Sequence, residues 1–322
     1  MHNHGKMTTF ALGKMKDKVA GYTEGALGAV MAGLVYPLAM VLIGEGIDIV
    51  SILFMRNVVA LPFVYLALRQ SGRRVDIGTS RILPICLLGI ATACSSYCVL
   101  DSLTGLYMAE ASAIYYTYPL LVTLLMAGLY HERLSTAAFA CILSCLIALP
   151  LIGMVATGGP AVARSIIMAL VASVLYAAFF VAIHARGLVA VSSQTMTFWL
   201  TLTGAFIFGV IIMVRGYAMV PHTPLPWLWV LLMALCPTVL SYQFTSRSVR
   251  RIGYTAASAL GVFEPLTALV AGYVFFSQNV SLKGLIAVAL IMASVTVLVY
   301  TRNVSRRIRK LRQSQPAVPD RK

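Results

Sequence analysis

Ten apolar runs of span length dominate the chain. They occupy residues 25–43, 49–68, 82–103, 108–130, 137–156, 165–184, 194–214, 227–246, 254–276 and 284–301. A run of about 20 apolar residues crosses a hydrocarbon core of about 30 Å as a helix. Only helices and closed barrels satisfy their backbone polar groups in lipid. The runs are too long for barrel strands and do not alternate, so they read as helices. The connections are short, and none between Gly25 and Thr301 can hold a soluble domain. Charged residues make up 11% of the chain and hydrophobic residues 60%, against about 25% charged in soluble domains. Soluble enzyme, disordered segment and fibrous repeat are thereby excluded. The first run is span-length and lacks a small-residue cleavage pattern, so it reads as an uncleaved helix rather than a signal peptide.

The few charges set the topology. Of 25 Lys and Arg residues, 21 fall on one side of the expected membrane if the N-terminus is cytoplasmic and ten spans follow. They include Lys6, Lys14, Lys16 and Lys18, the connection with Arg69, Arg73, Arg74 and Arg81, then Arg133, Arg186, Arg247, Arg250 and Arg251, and eight in the C-terminal tail. Only Arg164, Arg215 and Lys283 fall on the other side. This bias places both termini in the cytoplasm. It also explains the net charge of +15 without nucleic acid. The basic tail reads as a topology anchor touching anionic headgroups.

The two halves repeat one another. Ala111-Ser112-Ala113 answers Ala257-Ser258-Ala259, and each is followed by Pro-Leu, at Pro119-Leu120 and Pro265-Leu266. Glu132 and Ser135 correspond to Gln278 and Ser281 at the same offset. Ser96-Tyr97 answers Ser241-Tyr242 one residue out of register, and Tyr36 answers Tyr176. Each half holds five runs, and an odd number inverts the second half relative to the first. The expected fold is an all-α integral membrane protein of ten transmembrane helices in two inverted five-helix repeats. The expected divisions are a basic tail at 1–24, repeats at 25–156 and 157–301, and a basic tail at 302–322.

The Ala-Ser motif, the Pro-Leu step and the apolar stretch leading into Gly-Leu-Tyr-His-Glu-Arg-Leu-Ser at 128–135 resemble the EamA repeat of the drug/metabolite transporter superfamily. The resemblance covers about 25–301, twice. The second copy departs at Gln278-Asn279-Val280-Ser281, which removes a carboxylate. The resemblance implies a secondary carrier for small metabolites, often an exporter. It also implies a central cavity bounded by the third, fourth, eighth and ninth spans, with the first and sixth nearby, so that Tyr36 and Tyr176 become lining candidates.

Two charged residues, Arg56 and Glu264, lie deep within runs, well away from their ends. Glu264 is about ten residues into the ninth, roughly 15 Å deep at 1.5 Å per residue. A charge near the midplane costs about 2.5 kcal/mol or more and marks a functional candidate. Glu264 is therefore expected to carry a coupling proton or meet a substrate amine; the bland alternative is a protonated or paired structural carboxyl. Arg56 lies ~10 Å deep in the second run, placed to hold a carboxylate in two-pronged fashion, to pair with Glu264, or to snorkel outward. Tyr115 and Tyr118, with Tyr116 between them, and Tyr97, Tyr242 and Gln243 suit the wall of an amphipathic pocket, although any single tyrosine can equally serve packing. Pro119 and Pro265 are expected helix bends that let the halves rock. Asp101 and Glu110 read as solvated loop charges. Cys86, Cys94, Cys98, Cys141, Cys145 and Cys236 read as small buried apolar groups, and no metal site, cofactor or catalytic constellation is expected.

The resulting expectation is a multi-pass carrier of the cell membrane that moves an amino acid or amphipathic metabolite, in the export direction, by alternating access. Its partners are the lipid bilayer, the small-molecule substrate and, through Glu264, protons; a homodimer stays open. The alternatives are a nucleotide-sugar or phosphate-ester exchanger and a non-transporting membrane scaffold or sensor.

Overall fold

The computed structural model describes residues 2–72, 75–130, 136–155, 159–185, 188 and 191–314. Every regular element among them is helical. In chain order they are α1 (His2–Gly33), α2 (Val35–Gly44), α3 (Ile49–Gln70), α4 (Thr79–Ser102), α5 (Met108–Tyr115), α6 (Tyr118–Tyr130), α7 (Thr136–Val155), α8 (Gly159–Ala185), α9 (Ser193–Arg215), α10 (Pro224–Ala234), a π-helical turn (Leu235–Leu240), α11 (Ser241–Ala259), a 3₁₀ turn (Leu260–Val262), α12 (Phe263–Phe276) and α13 (Leu282–Ser314). Eight stretches among the described residues are long and apolar enough to cross a membrane: Asp17–Gly44, Ile49–Gln70, Thr79–Ser102, Met108–Leu129, Pro160–Ile183, Ser193–Arg215, Pro224–Gly253 and Leu282–Val299. The other two expected runs fall on α7 and on the shorter apolar helix Leu260–Phe276. The first helix begins far upstream of Gly25, and the last runs on to Ser314. Much of both expected tails is thus helical.

Helix ends follow local chemistry. Asp48 caps α3 by accepting hydrogen bonds from the Val50 and Ser51 amides on Oδ2. Ser192 caps α9 by accepting from the Thr195 amide, and Pro224 stands in the first turn of α10, where no amide bond is lost. Gly253, inside α11, adopts φ 82° and ψ 161°, a conformation open in practice only to glycine. It turns the chain between the eighth and ninth runs.

Four of the ten runs are interrupted, and each interruption carries a proline. Leu34 separates α1 from α2, with Pro37 in the first turn beyond it. Tyr116 and Thr117 separate α5 from α6, and Pro119 is the second residue of α6. Pro237 lies in the π-helical turn, and Pro265 is the third residue of α12, after the 3₁₀ turn. Proline lacks an amide donor and crowds the carbonyl four residues back, so the ladder breaks just before it. Pro62 and Pro84, by contrast, sit inside continuous helices.

Packing repeats as the sequence does. Numbered in chain order, the first run packs on the eighth and the third on the sixth; the second meets the seventh, the fourth the ninth, the fifth the tenth. Advancing every member by five positions returns the same set of pairs. Lipid provides no hydrophobic drive between helices, so close contact must come from small side chains and hydrogen bonds. The α1–α11 seam is built that way: a β-carbon on Gly28 would stand 2.6 Å from Thr245 Oγ1 and 3.0 Å from the Thr245 amide nitrogen. Ser248 Oγ donates to the Gly21 carbonyl at 2.8 Å. Across the α4–α8 seam, Ser95 Oγ donates to the Ala172 carbonyl at 2.8 Å.

Gly28→Val should therefore force α1 off α11. The expected cost is about 1–3 kcal/mol, read as a lowered Tm of the detergent-solubilised protein, with Leu27→Val on the exposed face as the near-neutral control.

Candidate functional site

A cavity of about 1420 Å³ runs into the bundle between the halves. At one end its lining begins at Ser71, Leu188, Ser193 and Arg250, in or beside the basic connections. It reaches no further than Tyr36, Arg56, Leu100 and Phe208 in the interior. All four interruptions border it, through Val35 and Tyr36, through Tyr116 and Pro119, through Pro237 and Thr238, and through Gly261 and Glu264.

One wall is aromatic. Tyr118 stacks on Phe180 with centroids 5.6 Å apart and planes 8° from parallel, and it meets Tyr176 edge-on at 4.9 Å. Tyr115 joins Tyr118 at 5.8 Å and Tyr176 at 5.4 Å. Each such contact contributes about 0.5–1.5 kcal/mol beyond burial, so the wall is stiff. Tyr115 and Tyr118, three residues apart, share a helical face, and the break between them brings Tyr116 edge-on to Tyr118 at 6.1 Å.

Glu264 and Arg56 both line this cavity, but they do not form an ion pair with each other. Glu264 lies within electrostatic reach of Tyr36, Tyr115 and Tyr116. Tyr115 is also a neighbour of Arg56. The Arg56 Nε is buried with no hydrogen-bond partner among the described residues, as are the hydroxyls of Tyr36 and Tyr116. A guanidinium, a carboxyl group and phenolic hydroxyls thus line one chamber. The α1 seam fixes Glu264 closely: a β-carbon on Gly33 would stand 2.6 Å from the Glu264 carbonyl oxygen.

At the opposite end the halves are tied together. Arg164 Nη2 donates to both Asp101 oxygens at 2.7 and 2.8 Å. Gln278 Oε1 accepts from the Met108 amide at 3.0 Å, capping α5 from the other half. Ser51 Oγ accepts from the Met219 amide, and Arg215 approaches Asp48 at 3.5 Å. These contacts correct the reading of Asp101 and Glu110 as solvated loop charges. Asp101 is 4% exposed and Glu110 2%. Glu110 Oε2 accepts from the Tyr107 amide, which folds it back into the bundle. Gln278 replaces a carboxylate with an acceptor that caps a helix.

Of the residues singled out in the sequence, Tyr36, Arg56, Tyr115, Tyr118, Tyr176, Tyr242, Glu264 and Pro119 line the large cavity. Tyr97 does not; it packs against the main apolar core. Gln243 lines a smaller polar pocket near the basic connections, beside Tyr242. Pro265 is buried at the start of α12 and acts through the backbone. Asn57, Phe179, Phe180 and Thr201 line the cavity without having stood out; the stacked Phe180 could have been found from its helical spacing to Tyr176. Cys94 is exposed, against the expectation of burial, whereas Cys141 and Cys145 are buried. The motif at 131–135 lies outside the described residues.

An apolar helical bundle enclosing a polar and aromatic chamber open towards one end is the build of a membrane transporter. The EamA-like transporter family matches residues 20–154 and again 163–300, and the chain belongs to that family. It is similar to an "Uncharacterized transporter" of Archaeoglobus fulgidus, 31% identical over 71 residues, which span 22% of this chain and 26% of that relative's length. A solved protein crystal structure superposes with a TM-score of 0.60 at 20% identity, over 89% of this chain and 99% of that one; at that identity the likeness is one of fold.

Arg56→Ala should weaken binding of a carboxylate-bearing ligand about tenfold or more, since a charge-assisted hydrogen bond contributes about 1.5–3 kcal/mol. Titration calorimetry on the purified protein checks this, and unaltered affinity would remove Arg56 from the binding set.

Proposed function

We propose that the chain is a secondary-active carrier that moves a small organic metabolite, an amino acid or amphipathic compound, out of the cell by alternating access. In this reading ten spans form two inverted five-helix repeats, at 25–156 and 157–301, flanked by basic cytoplasmic tails at 1–24 and 302–322, in the cell membrane. The observation that carries it is the shared chamber: Arg56 and Glu264, from opposite halves, line one cavity beside an aromatic wall. Arg56 takes the carboxylate of a zwitterion and Glu264 its ammonium, and the rings of Tyr115, Tyr118 and Tyr176 take its apolar part. Tyr36 and Tyr242 supply orienting hydroxyls.

The cavity opens beside the cationic connections, which the positive-inside bias assigns to the cytoplasm, and cross-half bonds hold the far end shut. This supports a cytoplasm-facing conformation ready to load a substrate for export. Opening to the other side requires those bonds to part while the first and fourth, and the sixth and ninth, runs close over the chamber. The bends at Pro119 and Pro265 allow the closure. Glu264, released from its substrate, is free to take up the coupling proton. Arg56 is the single cation deep in the runs, and it suits one carboxylate better than the multiple charges of a nucleotide sugar, which makes the exchanger the weaker reading.

A thermal-shift screen against a metabolite panel identifies a ligand, because a compound that binds only the folded state raises Tm. With that ligand in proteoliposomes, Glu264→Gln should abolish flux driven by a pH gradient while leaving Tm near the wild-type value. Unchanged driven flux would remove proton coupling through Glu264, and the absence of saturable flux in the unaltered protein would remove the carrier reading.

A further inference from the structure

Resting on the carrier reading, we infer that the cytoplasmic mouth carries a second anion site, built on Arg247 and Arg250, that docks the carboxylate or phosphate group of the substrate before it reaches the chamber. A polar pocket of about 260 Å³ opens there between α3, α9 and α11. Residues 242, 243, 246, 247 and 250 fall on one face of α11, and all five line it. The facing walls supply Gln70, Ser71, Gln194 and Thr197, and among the described residues no Asp or Glu borders it.

The two guanidiniums are free to bind. Arg247 Nη2 donates to Gln243 Oε1 at 3.5 Å, and Arg250 Nε donates to the Ser246 carbonyl at 3.3 Å. Neither meets a carboxylate among the described residues. Their neighbour Arg251 behaves differently: it pairs with Glu24 at 3.2 Å and Asp17 at 3.7 Å, the arrangement of a structural cation. A guanidinium fork matches the geometry of carboxylate or phosphate, and hydroxyl and amide donors complete the set. A cation serving only as a topology anchor would face the headgroups. Arg250 instead lines both this pocket and the large cavity, as do Ser71, Gln194, Thr197 and Tyr242. The pocket is therefore continuous with the route to Arg56. An anion meets one pair of guanidiniums at the mouth and a single one at depth.

The test measures binding rather than flux, so it succeeds or fails independently of proton coupling through Glu264. The full chain is placed in phosphatidylcholine nanodiscs and titrated with inorganic phosphate or acetate at constant ionic strength, with chloride as the control. Phosphate and acetate should raise Tm and slow phenylglyoxal modification of Arg247 and Arg250, followed by peptide mass spectrometry, at least threefold, with Arg251 unaffected. The Tm response should fall at least threefold in Arg247→Gln/Arg250→Gln and persist in Lys283→Gln, an exposed cation at the far end. The modification readout uses the unaltered protein, so it stands even if the double variant does not fold. Equal effects of chloride and phosphate would overturn the proposal. So would protection by phosphatidylglycerol in the nanodisc with none by the soluble anions, since the site would then hold a lipid headgroup.

Discussion

In hydrocarbon every backbone amide and carbonyl must find its partner within the protein, and this requirement organises the molecule. Most runs obey it as continuous helices. The interruptions at Leu34, at Tyr116–Thr117, at the π-helical turn around Pro237 and at the 3₁₀ turn Leu260–Val262 are tolerated because they border the central cavity or the seams beside it. Each break also frees a side chain from the helical period. Tyr116 can then meet Tyr118 edge-on, and Glu264 can sit in the first turn of a helix rather than on its flank. The breaks that weaken the ladder are the same breaks that build the site.

Charge is distributed under the same constraint. Ionisable groups that must stay in the bundle are either neutralised by neighbours or presented to the chamber. Asp101 takes Arg164, Glu110 folds onto a helix N-terminus, and Arg251 takes Glu24. Arg56 and Glu264 have no such arrangement with each other, and both face the cavity. That contrast separates charged groups held by neighbouring side chains from those that face the cavity.

Much of this was legible in the residues. Apolar run length located the helices, because the bilayer sets one thickness for all of them. The offset between Pro119 and Pro265 located two of the breaks. Depth alone singled out Arg56 and Glu264. What escaped reading depends on contacts between distant segments. Asp101 looked solvated because its partner lies 63 residues away. Tyr97 and Tyr242 looked equivalent by repeat, yet one packs into the core and the other lines a pocket, since helix rotation follows from packing and not from spacing. Gln278 looked like a lost charge, whereas it accepts a backbone amide from the other half.

The contact between Gly33 and the Glu264 carbonyl has a mechanical consequence. With no side chain between them, the end of the first helix and the start of α12 bear directly on each other, with no soft atoms to absorb a displacement. Any side chain at position 33 would have to displace the first turn of α12, and with it the backbone that carries Glu264.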